Sequence, residues 1–511
     1  MHSETQFVSV AAKGESRALK RLRYVVWLPL VAALCAASAA SAAQMRPAIV
    51  MPSSSWAPLS KAFGPADAPF PCGRSGALCY LPQDLQQAYN FPTGAGAPTG
   101  AGQTILIVTA YGAPYMQELL GTFDAILGIP DPPSFTTYTQ QTTVPGTAGS
   151  GATFHWQVET ALDVEWAHAM APGANIVVGV ATSDDTADVT QLLREALPKY
   201  PGAIVSQSFG SDETGPAVDP MLTAALEPLY LAATLRGGTV LAASGDFGAS
   251  NGTELEGVTP SVMAAYPASD PLVLAVGGTE GFPGPDGLWA AGGYGGEQVW
   301  NEFFAGQPGA TGGAPSVVFD APPWQRPVTK FKSRVEPDVS YNAAVNGGVL
   351  VAIACAPSSA DGGFTVDLTR CNPFAPLTNS VGGTSAGTPQ WAAIVALAND
   401  VRSQRRHGQP VGLIAPLLYE IGHDKRAYAR DFHDITVGSN GLDLTPFGFP
   451  PTQFYFNAGR GYDVPTGLGT PNVANLLGDL ARGESGDIPG SLRHPQKGDG
   501  HGKHHHFDPE R

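Results

Sequence analysis

Ser385 stands among glycines in Gly382-Gly383-Thr384-Ser385-Ala386-Gly387-Thr388-Pro389, and a helical run from Gln390 to Asp400 or beyond follows it. That spacing puts its hydroxyl at or just before a helix N-terminus. Backbone N–H groups and the positive end of the helix dipole favour a developing oxyanion there. Read alone, Ser385 or Thr384 serves equally well as a helix cap. A serine nucleophile also needs a base, and no histidine of this chain stands in a His-Gly-Thr-His setting. The chain offers Glu159 and Asp163 instead, four residues apart on a predicted helix and so on one face, a turn from each other. Two carboxylates so placed repel unless they share a proton or face a cation, and proton sharing is how carboxylates become acid–base groups. A lone Glu-x-x-x-Asp is ordinarily a solvated helix face. Here Trp156, Val158, Leu162 and Val164 make the surroundings apolar, while neighbouring Glu165 reads as surface. A third carboxylate, Asp246, lies in Ser244-Gly245-Asp246-Phe247-Gly248, either as a turn-former or facing a site.

These residues must be positioned by strands that alternate with helices. Short apolar runs at Thr104–Val108, Asn175–Val180, Ala203–Ser206, Thr239–Ala243 and Leu272–Val276 read as buried strands. Helical spacing appears at Met116–Leu127, Phe154–Met170 (stopped by Pro172-Gly173) and Met221–Leu235. The pattern predicts an α/β fold: a mostly parallel central sheet with helices on both faces. Ligands of such sheets sit beyond the carboxyl ends of the strands, where the loops Ser206–Gly210 and Ser244–Gly248 fall.

Taken together, the pieces resemble the sedolisin family, the serine-carboxyl peptidases with a subtilisin-like fold and a Ser-Glu-Asp triad. The likeness covers nearly the whole chain after its N-terminal leader. It runs from Leu81-Pro-Gln-Asp-Leu-Gln-Gln-Ala-Tyr-Asn-Phe-Pro92 and Gly102-Gln-Thr-Ile105 through Ser206-Gln-Ser-Phe-Gly210. It continues in Gly312-Gly313, Pro323-Trp324-Gln325 and Pro337-Asp-Val-Ser340. The resemblance implies a three-layer subtilisin-like fold, Ser385 as nucleophile, Glu159 as general base, Asp163 hydrogen-bonded to Glu159, and Asp246 as an oxyanion donor beside the Ser385 amide. Asp246 can donate only when protonated, and a free aspartate titrates near 3.9, so this design implies work in acid. The resemblance further implies one structural calcium ion, held by the carboxylates of Asp434 and Asp463 and the carbonyls of Ile435, Gly459 and Gly461, a hard oxygen set. Three departures stand out: Thr109 where many relatives are acidic, Gly387 where serine is common, and Phe247 where a small residue is usual. The family is usually made with a large prodomain; here residues 44–79 alone lie between the leader and the matching start.

Composition agrees with an exported globular protein. Of 511 residues, 43% are hydrophobic and 14% charged, enough to bury a large core. The net charge of -16 argues against a nucleic-acid partner, since phosphate binding needs basic patches. Residues 1–43 read as a signal peptide: Lys20, Arg21 and Arg23, then the apolar Val25–Ala37, then the cleavage-type Ala40-Ser41-Ala42. The apolar run is shorter than the roughly 20 residues of a membrane span. Cys35 leaves with the leader, and the remaining Cys72, Cys79, Cys355 and Cys371 read as disulfides of an exported chain. Three pairings exist; Cys72–Cys79 with Cys355–Cys371 closes the shortest loops. The sequence therefore divides into a leader (1–43), a short segment (44–79), a peptidase domain (80–481) and a Gly/His-rich tail (482–511) read as disordered. His504–His506 in that tail reads as incidental, not as a metal site.

The expected function is that of a secreted or periplasmic, monomeric, acid-active endopeptidase acting on protein or peptide substrates, with a prodomain absent or supplied separately. Two rivals exist. A non-catalytic homologue used for binding would carry the same fold. An esterase would use Gly383-x-Ser385-x-Gly387 as its nucleophile elbow. That elbow needs an apolar strand before it, for which Leu377–Val381 reads poorly, and a later Asp then His. Asp434 is present, but no histidine follows it before the tail. The sequence does not specify which peptide bond is cut, or whether tripeptides are released from an N-terminus.

Overall fold

The computed structural model describes residues 44–51, 56–58, 70–72, 77–141, 153–213, 220–251, 261–290, 293–304, 306–358, 365–405, 408–445 and 453–483. The leader, the sequence around His504–His506 and the rest of the tail beyond 483 lie outside them. Along the chain, β1 (Arg46–Pro47), β2 (Ala57–Pro58) and β3 (Leu78–Tyr80) come first. Next come β4 (Thr104–Ala110), α1 (Met116–Leu127), β5 (Phe135–Thr139), α2 (Thr153–Met170) and β6 (Asn175–Ala181). After these lie α3 (Thr186–Ala196), β7 (Ile204–Gln207), β8 (Phe209–Asp212), α4 (Pro220–Leu235) and β9 (Val240–Ala243). The elements that complete the site's frame are β10 (Val273–Gly281), β11 (Glu297–Val299), β12 (Val339–Asn342), β13 (Gly348–Ile353) and β14 (Leu377–Val381). Helices α5 (Thr384–Ser403) and α6 (Val473–Arg482) follow.

The central sheet has the order β11-β10-β9-β7-β4-β6-β5, with β12 beside β10. Every pairing is parallel except β11 on β10. Period-two alternation sends successive side chains to opposite faces. Ile105, Ile107, Ile176, Ile204 and Leu241 join the apolar core with α1, α2 and α5, whereas Leu106, Val108, Val177, Val205 and Val240 join that with α3 and α4. This is the α/β layering expected from the sequence, with strand limits differing by a residue or two.

A second sheet, β2-β14-β13-β3 with Phe70–Pro71 as a fifth strand at the edge beside β3, closes over α2. Leu377–Val381, read from its polar residues as a poor strand, is therefore a strand after all. It pairs antiparallel with β13 and lies outside the parallel sheet. Thr378, Asn379 and Ser380 are buried there, with Ser380 Oγ donating to the Val345 carbonyl at 2.6 Å. Hydrogen bonding within the sheet, not apolar patterning, builds the element, which is why periodicity missed it.

Helix α2 has no solvent face. The parallel sheet, α5 and β13 enclose it, and Trp166 Nε1 donates to the Leu350 carbonyl at 2.9 Å. Glu165, expected at the surface, is buried as well: its Oε2 accepts from the Ala352 amide at 3.0 Å. The correction has a simple cause. A helix packed on all sides has no free face to which a charge can be assigned by spacing. The cysteines pair as Cys72–Cys79 and Cys355–Cys371.

Candidate active site

The carboxyl ends of β7 and β9, neighbours in the sheet, deliver two of the site's loops. Ser208 follows β7 and Asp246 follows β9. The N-terminus of α5 delivers the third part. Gly383 immediately precedes that helix with φ 106°, a left-handed conformation that favours glycine. Any side chain there would also strike the Ala48 carbonyl and Asp246 Oδ2. Ser385 is thus the second residue of α5, and it is fully buried. Gly387 has a packing reason: a Cβ would lie 2.7 Å from Tyr341 Cβ.

Helix α2 brings Glu159 and Asp163 to the same place. Ser385 Oγ lies 3.1 Å from Glu159 Oε2 and 3.0 Å from the Ser208 carbonyl oxygen. Its single proton is therefore shared between a carboxylate and a carbonyl. Asp163 Oδ1 accepts from Ser208 Oγ at 2.6 Å. The expected hydrogen bond between Asp163 and Glu159 is not made: Glu159 Oε1 and Asp163 Oδ2 have no hydrogen-bond partner, and Asp163 reaches the serine through Ser208 instead. Asp246 Oδ1 accepts both the Thr384 amide and the Thr384 hydroxyl, each at 2.8 Å, which leaves Oδ2 unpartnered against Gly383.

Burial sets the electrostatics. An ionised carboxylate this deep costs several kcal/mol. Burial, then the charge of Asp163, holds Glu159 well above the ordinary carboxylate range, against the lowering effect of Ser385. Burial raises Asp163 likewise, against the Ser208 hydrogen bond. The pair thus keeps a proton where isolated carboxylates would have lost both. Burial also pushes Asp246 up to about 7, against its two Thr384 hydrogen bonds. Below that pH its free Oδ2 carries a proton and can donate. The arrangement contains a hydroxyl, a carboxylate that can take its proton, and a neutral acid beside the Ser385 amide. These are the parts of nucleophilic attack on a carbonyl with oxyanion stabilisation.

The structure thus brings Ser385, Glu159, Asp163 and Asp246 together. It also recruits residues the sequence reading did not single out. Ser208 links Asp163 to the serine; a serine just past a strand end was the available signal. The segment 44–51 lies against the site, with the Ser385 amide donating to the Ala48 carbonyl at 3.0 Å. No motif announces that segment. Thr109, the departure at the end of β4, has its Oγ1 2.6 Å from Thr160 Oγ1 and reaches the base through that neighbour of Glu159.

Asp434, Ile435, Gly459, Gly461 and Asp463 lie in another loop cluster. Asp434 accepts from the Gly461 amide and from the Tyr428 hydroxyl, at 3.0 and 2.9 Å. Asp463 accepts from the Gly459 amide at 2.9 Å. Burial pushes Asp463 up to about 6, and the nearby charge of Asp434 adds to the shift. Two carboxylates thus converge on one short loop with no cation among the hydrogen-bond donors named here. Gly459 and Gly461 leave open space on their Cβ side.

The chain matches no protein-family model. It is 34% identical to kumamolisin of Bacillus sp. (strain MN-32) over 411 residues, 78% of this chain and 63% of that protein. It is 27% identical to sedolisin of Pseudomonas sp. (strain 101) over 395 residues, 76% of this chain and 60% of that protein. The chain therefore spans a little under two thirds of the length of these curated relatives. Among solved structures, Pseudomonas sedolisin, a serine-carboxyl proteinase complexed with two molecules of pseudo-iodotyrostatin, superposes with a TM-score of 0.61 at 26% identity. That match covers 80% of this chain and 99% of the other.

Proposed function

From a chain that is a relative of the sedolisin family in both sequence and fold, we propose a secreted, acid-active serine-carboxyl endopeptidase. Its substrates are proteins or peptides, and residues 80–481 form its peptidase domain. One observation carries the reading: Ser385 Oγ within 3.1 Å of Glu159 Oε2, with the unpartnered Asp246 Oδ2 against Gly383, two residues before the serine.

In this reading the ionised Glu159 takes the Ser385 proton as Oγ attacks the substrate carbonyl carbon. The oxyanion accepts from the Ser385 amide and from protonated Asp246. Glu159 then returns the proton to the leaving amine, and water hydrolyses the acyl-enzyme by the reverse proton path. Asp163 and Ser208 are positioning residues. Asp163 also supplies the neighbouring charge that keeps a proton on the pair. The rate rises with pH as the pair loses its first proton, and falls as Asp246 ionises near pH 7.

Hydrolysis of a denatured protein near pH 4, followed by mass spectrometry, tests this. Wild type cuts, and Ser385→Ala loses about 10⁴-fold or more in kcat. The wild-type pH–rate profile declines through about pH 7. A Ser385→Ala variant that turns over like wild type would exclude the mechanism and favour a non-catalytic, binding homologue.

The loop cluster of Asp434, Ile435, Gly459, Gly461 and Asp463 fits one structural calcium ion. Two neighbouring carboxylates favour a cation, and the carbonyls of Ile435, Gly459 and Gly461 would complete a hard oxygen set. Bound there, the ion would neutralise the pair and fix the loop. It has no part in the chemical step. Metal analysis of the purified protein is expected to find one calcium, and chelation to lower the Tm by several degrees, since ligand at 100 times its Kd adds about 2.7 kcal/mol. Asp463→Asn is expected to lose the ion. A metal-free protein with unchanged melting after chelation excludes the site.

The leader at residues 1–43 would direct export, and the mature chain would act as a monomer away from the membrane. Among the described residues no helix is long and apolar enough to cross one. Whether a separately supplied prodomain assists folding is tested by refolding the chain alone.

A further inference from the structure

A cavity opens beside Asp246, lined among others by Gly210, Ser211, Asp212, Gly245 and Ala265. Two antiparallel segments form one wall of it: β8 and Ala265–Tyr266, paired through Asp212–Ala265 and Ser211–Tyr266. Ala265 is the point on which this wall closes. A Cβ at Gly210 would lie 3.4 Å from the Ala265 Cβ, and one at Gly245, next to Asp246, would lie 3.8 Å from it. A movement of Ala265 therefore shifts the backbone on both sides of the cavity. The Ala265 amide donates to Glu336 Oε1 at 2.6 Å, so a side chain from a separate hairpin, Ala314–Asp320 with Ser333–Glu336, holds the wall from behind.

Glu336 is wholly buried, and its Oε2 has no hydrogen-bond partner. The charged groups that face it are Glu213 from the turn after β8, Arg334 from its own strand and Asp338 two residues further on. The guanidinium is already committed: Arg334 donates to Asp338 Oδ1 at 2.7 Å and to Oδ2 at 2.6 Å. Glu213 is satisfied as an anion, with Oε1 accepting from the Ser316 hydroxyl at 2.6 Å and Oε2 from the Val317 amide at 2.7 Å. One cation thus faces three carboxyl groups, and the group with a bare buried oxygen is the one that keeps its proton. Burial holds Glu336 well above the ordinary carboxylate range, against the Ala265 hydrogen bond; the charges of Glu213 and Asp338 add to the rise and Arg334 opposes it. An apolar side chain would fill the same space without this desolvation. What it could not do is accept from the Ala265 amide.

We propose that Glu336 is a positioning residue for substrate: when neutral it holds the cavity wall in its binding shape through the Ala265 amide, and when ionised it releases that wall. The proposal rests on the peptidase reading above and adds to it a control on binding, separate from the control that Asp246 exerts on the chemistry. The step is the loss of one proton from Glu336 to water. It leaves three carboxylates around one guanidinium in a space closed to solvent. Water reaches Oε2 only if the hairpin parts from Ala265, so solvation of the charge and support of the wall exclude each other. In acid the wall is fixed; as pH rises it loosens. Ser385, Glu159 and Asp163 stand on α5 and α2, so the effect falls on peptide binding and not on proton transfer at the serine.

The test is a KM and kcat profile on one peptide substrate between about pH 4 and pH 8. Wild-type KM is expected to rise about fivefold or more over this range, the loss of one net hydrogen bond. Glu336→Leu, which cannot accept from Ala265, has the raised KM already at pH 4 with kcat changed only a few-fold. Glu336→Gln, which keeps the acceptor and cannot ionise, rescues KM at pH 4 and holds it nearly constant to pH 8. In all three proteins kcat keeps the decline through about pH 7 assigned to Asp246. Hydrogen exchange at the Ala265 amide, corrected for its intrinsic pH dependence, reads the wall with no substrate present. Its protection falls about fivefold or more with pH in wild type and not in Glu336→Gln. A wild-type KM and an Ala265 protection that are both flat over this range overturn the proposal. So does a Glu336→Gln variant that keeps the wild-type rise in KM. Either result leaves the peptidase reading standing, whereas failure to hydrolyse any peptide at any pH overturns both.

Discussion

Replacing Glu159 by glutamine is expected to lower kcat for peptide hydrolysis by about 10⁴-fold while changing KM only a few-fold. The substitution preserves shape inside a helix that has no free side. The amide oxygen can still accept from Ser385 Oγ, so the ground-state hydrogen bond survives. What is lost is the ability to take the proton as the bond to carbon forms, an interaction made only in the transition state. An effect on kcat without a matching effect on KM is the signature of that loss. Catalysis by the Ser385 amide and Asp246 remains, which sets the floor on the residual rate. Asp163→Asn is expected to cost less, since Asp163 meets the serine only through Ser208 and through its charge on Glu159. If Glu159→Gln keeps its rate within tenfold of wild type, Glu159 is not the base.

The four candidate site positions are legible because their types make sense only in combination. Ser385 looked equally like a cap. The structure shows why that ambiguity was real: it sits at a helix N-terminus, and Thr384 beside it ties Asp246 in place through both its amide and its hydroxyl. Glu159 and Asp163 were separated from a solvated helix face by their apolar neighbours, and α2 is buried for the reason those neighbours suggested. The same reasoning fails for Glu165, which has the same neighbours, reads as surface by its spacing and is buried. It failed again for Leu377–Val381, whose polar side chains are satisfied inside a sheet by partners from distant parts of the chain. The parallel sheet was legible from period-two apolar runs because both its faces are covered. Ser208 and the 44–51 segment were not. The segment acts through backbone atoms, and Ser208 does so in part, its carbonyl accepting from Ser385 while its hydroxyl donates to Asp163; carbonyl and amide positions leave no mark in residue types.

Stability is expected to be greatest near pH 4 and to fall as pH rises toward 8, the reverse of a protein held together by surface ion pairs. The cause is the number of carboxylates held neutral by burial. Asp246 and Asp270 are each pushed up to about 7, chiefly by burial. Asp270 accepts the Leu272 amide at 2.8 Å through Oδ1, while Oδ2 has no partner. An unfolded aspartate titrates near 3.9. The folded chain therefore binds the proton more tightly. The contribution is fully present below the unfolded value and is lost as pH rises through the folded value, at about 1.4 kcal/mol per pH unit per group. Each of these two groups accounts for up to about 4 kcal/mol across that window. Glu165, Glu297 and Glu336 are buried and shifted in the same direction. His433, pushed down to about 4 by burial, opposes them, because its contribution is lost on acidification. His155, also lowered by burial, acts in the same sense, so two histidines stand against the larger set of buried carboxylates. Thermal unfolding is expected to show the Tm falling by about 10 °C or more between pH 4 and pH 8. Asp270→Asn keeps the hydrogen bond to Leu272 without a titrating group. It is expected to leave the Tm near pH 4 almost unchanged and to raise it near pH 8. A Tm that is flat or rises over this range would show that these carboxylates are ionised in the folded protein. Asp246 would then be unable to donate to an oxyanion, so a calorimetric measurement with no substrate present bears directly on the chemistry assigned to the site.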